Sequence, residues 1–152
     1  AGKSTLAAGL LRKGAGFICE EVCAVSPDGL VQPYHRPIGL RRGGAEVIGV
    51  PVPDAPFDRT YPWRGSAHGA RLSGAVPLAA VVLVTRRPGA PDLAPIDPPE
   101  ALYILTGQTL GGKGVEREMF RSLDRLVRVT PIYALSYAEW PQAAQLVESI
   151  LS

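Results

Sequence analysis

The chain has 152 residues, 46% of them apolar and 20% charged, which suits one globular domain with a buried core. A net charge of +2 supplies no field strong enough to draw nucleic acid or anionic lipid, and no apolar run reaches the roughly 18 residues that a membrane span needs. The 15 Pro and 17 Gly make the chain loop-rich without disordered composition, and its 2 Cys suit a reducing cytoplasm.

Ala1-Gly2-Lys3-Ser4-Thr5 opens the sequence and runs into Leu6-Ala7-Ala8-Gly9-Leu10-Leu11. A phosphate-binding loop, G-x-x-x-x-G-K-[ST], needs backbone N–H groups to wrap phosphate, a lysine to reach it and a hydroxyl to hold Mg²⁺. Gly2, Lys3 and Ser4 match its second half. The leading glycine and the strand that feeds the loop are expected upstream of Ala1. The sequence therefore reads as one domain, 1–152, lacking that first strand and the front half of the loop. Leu6, Leu10 and Leu11 have helical spacing, and Lys13-Gly14 gives a basic last turn and a stop. The motif then lies at the positive end of a helix, where anions bind. The competing reading makes Ser4 a plain cap and Lys3 a solvated side chain.

Residues 17–25 read as a strand interrupted by Glu20 and Glu21. Neighbours in a strand face opposite ways, so one carboxylate points inward unless the chain bends. Desolvating a carboxylate costs on the order of several kcal/mol, so a metal, an arginine or a catalytic role is expected, against a strand edge or bulge with both acids in water. Cys19 and Cys23 are expected as small buried apolar groups rather than a zinc half-site or a disulfide. Ser26-Pro27-Asp28-Gly29 has turn chemistry and joins two strands as a hairpin. Tyr34-His35-Arg36-Pro37-Ile38 follows, ahead of Arg41-Arg42; it faces phosphate or an acidic peptide, or is an ordered loop with solvated charges.

GKST and a helix, a short strand with paired acids, an Asp-Gly turn and a Tyr-x-Arg-Pro-Ile segment together resemble the C-terminal catalytic domain of the HPr kinase/phosphorylase family, closest to the shorter HPr-kinase-like serine kinases. The resemblance runs unevenly from Ala1 to Ser152. Members resemble phosphoenolpyruvate carboxykinase around the nucleotide and transfer a phosphoryl group to a serine hydroxyl of a protein or peptide. The resemblance thus implies a P-loop kinase-like α/β fold, ATP and Mg²⁺ as cofactors, and a serine-bearing protein or peptide as partner, with neither nucleic acid nor membrane. Hexamers among the family leave room for a homo-oligomer. It also implies ATP binding by Gly2, Lys3, Ser4 and Thr5, Mg²⁺ ligation by Ser4 and Glu21, and catalysis by Lys3, Glu20 and Glu21, with Glu20 by position taking the proton of the acceptor. The family's pair is usually Asp-Asp or Asp-Glu, so Glu20 is one methylene longer. A base must come within about 3 Å of its proton; the alternative is a catalytically degenerate nucleotide-binding switch or pseudokinase, with a plain NTPase as a third option.

Residues 43–71 are poor in periodicity, and Pro53 and Pro56 exclude an interior strand. Gly44-Ala45-Glu46-Val47-Ile48-Gly49 sits where the family carries a signature loop, which points to Glu46. His35 and His68 read as surface histidines, and Tyr61 and Trp63 as packing groups ahead of base-stacking ones. Residues 76–85 form one continuous strand covered on both faces. In the kinases that the chain resembles a similar strand is followed by a basic turn, which implies that Arg86 or Arg87 meets nucleotide phosphate; surface solvation is the equal competitor.

Asp97, Pro98 and Glu100 start a helix as N-cap, N1 and N3, with Ala101, Leu102, Ile104 and Leu105 as its inner stripe. Leu110-Gly111-Gly112-Lys113-Gly114 resembles a second phosphate cradle but follows no strand, and so reads as an interhelical loop. Residues 115–127 give a helix with Met119, Phe120, Leu123 and Leu126 inward. Residues 130–137 give a last strand, and 138–151 an amphipathic helix with Trp140, Ala144, Leu146, Val147 and Ile150 as its core side. This order of elements predicts an α/β layer structure with a mixed β-sheet packed by helices.

Overall fold

The computed structural model describes residues 2–34, 38–49, 61–63, 74–110 and 114–151, with the backbone alone at 61–63. Its longest ladder joins strands distant in sequence. β6 (Val81–Arg86) runs parallel to β8 (Ile132–Tyr137), whose other edge carries the antiparallel β7 (Asp92–Pro95). Parallel neighbours need a long crossover; here it contains β7, α3 (Pro98–Thr106) and α4 (Glu116–Val129). Successive β6 side chains alternate between faces. Val81 and Leu83 pack with Ala101, Val127 and Ile132 beneath α3 and α4. Val82 and Val84 pack instead with Leu6, Leu135, Tyr137, Ala143, Ala144 and Val147 beneath α1 (Lys3–Arg12) and α5 (Trp140–Ser149). The sheet is thus mixed and covered on both faces, as β-branched residues without alternating polarity require.

α1 belongs to two cores, because Ala8 and Leu11 on its other side pack with Ile38, Leu40, Ala45 and Ile48. These come from β3 (Ile38–Leu40) and α2 (Arg42–Ile48). The helix is held on both flanks, so its N-terminus is fixed relative to the carboxyl ends of β6 and β8. The remaining strands are β1 (Ala24–Val25), β2 (Leu30–Gln32), β4 (Tyr61–Trp63) and β5 (Val76–Pro77). The described strands form three small sheets, β1-β2-β5, β3-β4 and β6-β8-β7.

Several expectations are corrected. Residues 76–85 are not one strand: Val76 and Pro77 pair with Val31 and Leu30 in the first sheet, and Val81 starts anew in the third. Pro77 has no N–H to continue a ladder, which suits a short edge strand. Residues 42–48 are helical despite Gly43 and Gly44, because burial of Ala45 and Ile48 against α1 and β3 outweighs the roughly 1 kcal/mol each glycine costs. β7 lies among Pro91 and Pro95, at an edge where proline is tolerated. Phe120 is 49% exposed rather than inward. Cys19 is half-buried and Cys23 exposed, both as free thiols, so they are not core groups. His35, His68, Pro53, Pro56 and Gly111-Gly112-Lys113 lie outside the described residues, as do the side chains of Tyr61 and Trp63. Among the described residues no helix is long and apolar enough to cross a membrane.

Candidate active site at the opening of α1

Gly2 precedes the first turn of α1 with φ 109°, a conformation open to glycine but strained for other residues. A Cβ there would stand 2.7 Å from the Tyr137 hydroxyl and 3.4 Å from the Cβ of Arg86. The Tyr137 hydroxyl donates to the Gly2 carbonyl at 2.8 Å, and the same oxygen accepts the Leu6 N–H at 3.0 Å. Tyr137 and Arg86 face each other as the last pair of the parallel ladder. Arg86 Nε donates to the Ala138 carbonyl at 3.3 Å, and the Arg87 N–H to the Tyr137 carbonyl at 2.9 Å. The opening of α1 is therefore seated at the carboxyl end of the parallel pair, the edge at which open α/β sheets bind ligands.

Among the described residues no side chain caps this helix end, and its first turn contains no acid. The leading N–H groups of a helix have no partner within it, and they favour negative charge. Lys3, the first helical residue, is exposed, whereas Thr5 is buried. Gly44 of α2 leaves no space for a Cβ, which would stand 2.8 Å from Thr5 Oγ1. Thr5 thus serves the α1–α2 contact. Glu46, on the same helix, is exposed.

The acids reach the site through a break in the expected strand. Residues 17–19 run beside residue 34, with a parallel bridge between Cys19 and Tyr34 and a 2.9 Å bond from the Tyr34 N–H to the Ile18 carbonyl. The chain then turns sharply: the Val22 N–H donates to the Glu20 carbonyl at 2.7 Å, closing a three-residue turn about Glu21. Glu21 has φ 62°, the one non-glycine positive φ among the described residues. Strain of this kind, on the order of 1–3 kcal/mol, persists where surrounding structure fixes it, often at functional sites. The turn resolves the problem of adjacent acids in a strand. Glu21 is exposed, while Glu20 is half-buried and accepts the Ser4 hydroxyl at 3.2 Å.

Ser4 Oγ and Glu20 Oε1 are two oxygens near the spacing of neighbouring ligands in an octahedron. At metal–oxygen distances of about 2.0–2.1 Å, such ligands stand about 2.9 Å apart. Mg²⁺ commonly takes one or two protein oxygens and completes its shell with water and phosphate, and a hydroxyl and a carboxylate are oxygen donors of that kind. No group of three or more His, Cys, Asp and Glu converges as a metal site among the described residues.

The structure thus brings together Gly2, Lys3, Ser4 and Glu20, and leaves Thr5 beneath them and Glu21 at the surface of the turn. Of the arginine pair, it is Arg86 whose stem adjoins Gly2. Tyr137 was not legible as a site residue, although one signal was present: a tyrosine ending an apolar strand needs a partner for its hydroxyl. Burial raises the Tyr137 pKa while Arg86 lowers it, the net direction being upward, so the hydroxyl stays a donor at neutral pH. Comparison of the chain with protein-family models, curated proteins and solved structures finds no match.

Proposed function

We propose that the protein is an ATP-dependent serine kinase, transferring a phosphoryl group to a serine hydroxyl of a protein or peptide. The observation that carries this reading is the 3.2 Å hydrogen bond from Ser4 to Glu20. It joins the lysine-serine opening of α1 to the first of the paired acids, two features 16 residues apart that the reading requires to share one pocket. Phosphoryl transfer asks mainly for positioning and for neutralisation of charge, and the group supplies both. The backbone N–H groups that follow Gly2 receive phosphate oxygens at the positive helix end. Lys3 adds a mobile positive charge at the same place. A carboxylate accepts through both oxygens, so Glu20 is able to hold Ser4 and to take the proton of an acceptor hydroxyl. Ser4 and Glu20 are the residues that would hold Mg²⁺, which supplies charge neutralisation between phosphates when bound.

A nucleotide-binding switch or pseudokinase is the second reading, and one observation favours it: the turn leaves Glu21 exposed while Glu20 is half-buried. Incubating the full-length chain with ATP, Mg²⁺ and serine-bearing peptides separates the two. Phosphoserine that is lost in Lys3→Ala and Glu20→Gln supports the kinase; ATP binding with no phosphoserine on any acceptor supports the switch, and phosphate release without an acceptor marks an NTPase.

A further inference from the structure

The face of α4 that turns toward the β1–β2 hairpin is only partly covered. Met119, Leu123 and Leu126 are half-buried, and Val129 is 74% exposed. Between this face and the hairpin lies a cavity of about 520 Å³, walled by Val25, Pro27 and Leu78 on one side and by Met119, Leu123 and Leu126 on the other. That volume falls within the roughly 300–1,000 Å³ of small-ligand sites. Asp28 and Arg125 also line it; their opposite charges give no net field, so apolar contact decides what binds.

The cavity is next to the candidate active site along the chain. Cys23 lines it and lies three residues after Glu20 in sequence. Three residues span at most about 11 Å. A peptide extended at about 3.3 Å per residue, with its serine at Glu20, therefore reaches the cavity within about four residues of that serine.

We propose that this cavity receives one aliphatic side chain of the acceptor peptide, of leucine size, within four residues of the serine to be phosphorylated. The proposal rests on the kinase reading above and adds to it a rule of substrate choice. Burying a leucine-sized group favours binding by about tenfold or more, so leucine and alanine peptides are distinguishable at the bench.

The test uses the full-length chain and serine peptides on an alanine background, each with one leucine at a position from four before to four after the serine. Phosphoserine formation is measured with ATP and Mg²⁺, and binding by titration calorimetry beside a non-hydrolysable ATP analogue. One or two leucine positions are expected to improve both by about tenfold over the all-alanine peptide. Ser122→Trp, at an exposed position lining the cavity, is expected to remove the gain while leaving nucleotide affinity within twofold. Equal binding of all peptides, or a gain that survives Ser122→Trp, overturns the assignment whether or not phosphate is transferred. Leucine-dependent binding lost in Ser122→Trp, without phosphoserine on any peptide, supports the cavity as a receptor for an aliphatic side chain and sinks the kinase reading alone. The comparison of leucine with alanine needs no variant, so it decides the matter even if Ser122→Trp fails to fold.

Discussion

The hydroxyl of Tyr137 donates to the carbonyl of Gly2 at 2.8 Å across 135 residues of chain, tying the end of β8 to the opening of α1. Tyr137 is 1% exposed and Gly2 half-buried, so the bond is part-buried. Tyr137→Phe keeps the ring and removes only the donor. The Gly2 carbonyl retains the Leu6 N–H at 3.0 Å and is not orphaned, so the loss is that of one neutral hydrogen bond, about 1 kcal/mol. Urea unfolding should show a lower midpoint by that amount with an unchanged slope. Phosphate-analogue affinity should fall too, because Gly2 loses the contact that fixes its carbonyl.

The same tyrosine gives a pH signature. Burial raises its pKa above the ordinary value near 10, with Arg86 opposing. Below that value the hydroxyl is protonated in both folded and unfolded chains and contributes nothing to the slope. Above it the unfolded chain releases a proton that the folded chain retains, so stability falls as pH rises, until the folded-state pKa is passed. Chemical unfolding between pH 9 and 11 should show this decline, and Tyr137→Phe should flatten it.

Gly9→Ala sets a local preference against a tertiary one. In mid-helix alanine is favoured over glycine by about 1 kcal/mol. A Cβ at Gly9, however, would overlap the indole ring of Trp140, and overpacking costs about 1–3 kcal/mol. The clash should win, giving net destabilisation of about 1 kcal/mol. Adding Trp140→Leu should make the pair of changes less harmful than the sum of the two, as a four-protein set of melts would reveal.

Features made within a few residues were readable in the sequence. Asp97 caps α3 by accepting the Glu100 N–H at 3.0 Å, and Gly29 closes its turn with a 2.9 Å bond to the Ser26 carbonyl; both join residues only three apart in sequence. The apolar runs of β6 and β8 and the stripe of α5 were legible for the same reason. α2 was not, because Gly43 and Gly44 oppose it locally and its support comes from α1. Nor was the division of residues 76–85, since pairing with Val31 in one sheet and Ile132 in another is settled by partners far away. At the site, the residue types of Lys3, Ser4 and Glu20 were apparent, whereas the turn that lifts Glu21 out and the closure by Tyr137 required the folded chain.

The two thiols should differ in reactivity. Burial first, then the neighbouring Cys23 and the charge of Glu20, push the Cys19 thiol up to about 11. At pH 8 only about one part in a thousand is then thiolate, the reactive form. Cys23 is exposed. Brief treatment with iodoacetamide at pH 8 should label Cys23 ahead of Cys19, read by peptide mass spectrometry, and Glu20→Gln should speed labelling of Cys19 by removing a nearby negative charge.

Ser4 and Glu20 carry the functional reading, so they call for a double-mutant cycle with two readouts. The hydrogen bond between them is charge-assisted but only part-buried, which sets the coupling in unfolding free energy at about 1 kcal/mol. Ser4→Ala, Glu20→Gln and the double variant should show that coupling if the bond is formed in solution. For activity the two changes should diverge. Glu20→Gln preserves shape while removing the negative charge, and a general base is worth about 10²–10⁴ in rate; turnover should fall by at least about 100-fold while ATP affinity measured without Mg²⁺ changes little. Ser4→Ala should instead weaken ATP binding measured with Mg²⁺ more than binding measured without it, because the hydroxyl acts through the cation. Equal turnover in Glu20→Gln and the parent chain would remove the acid from the chemistry, and with it the kinase assignment.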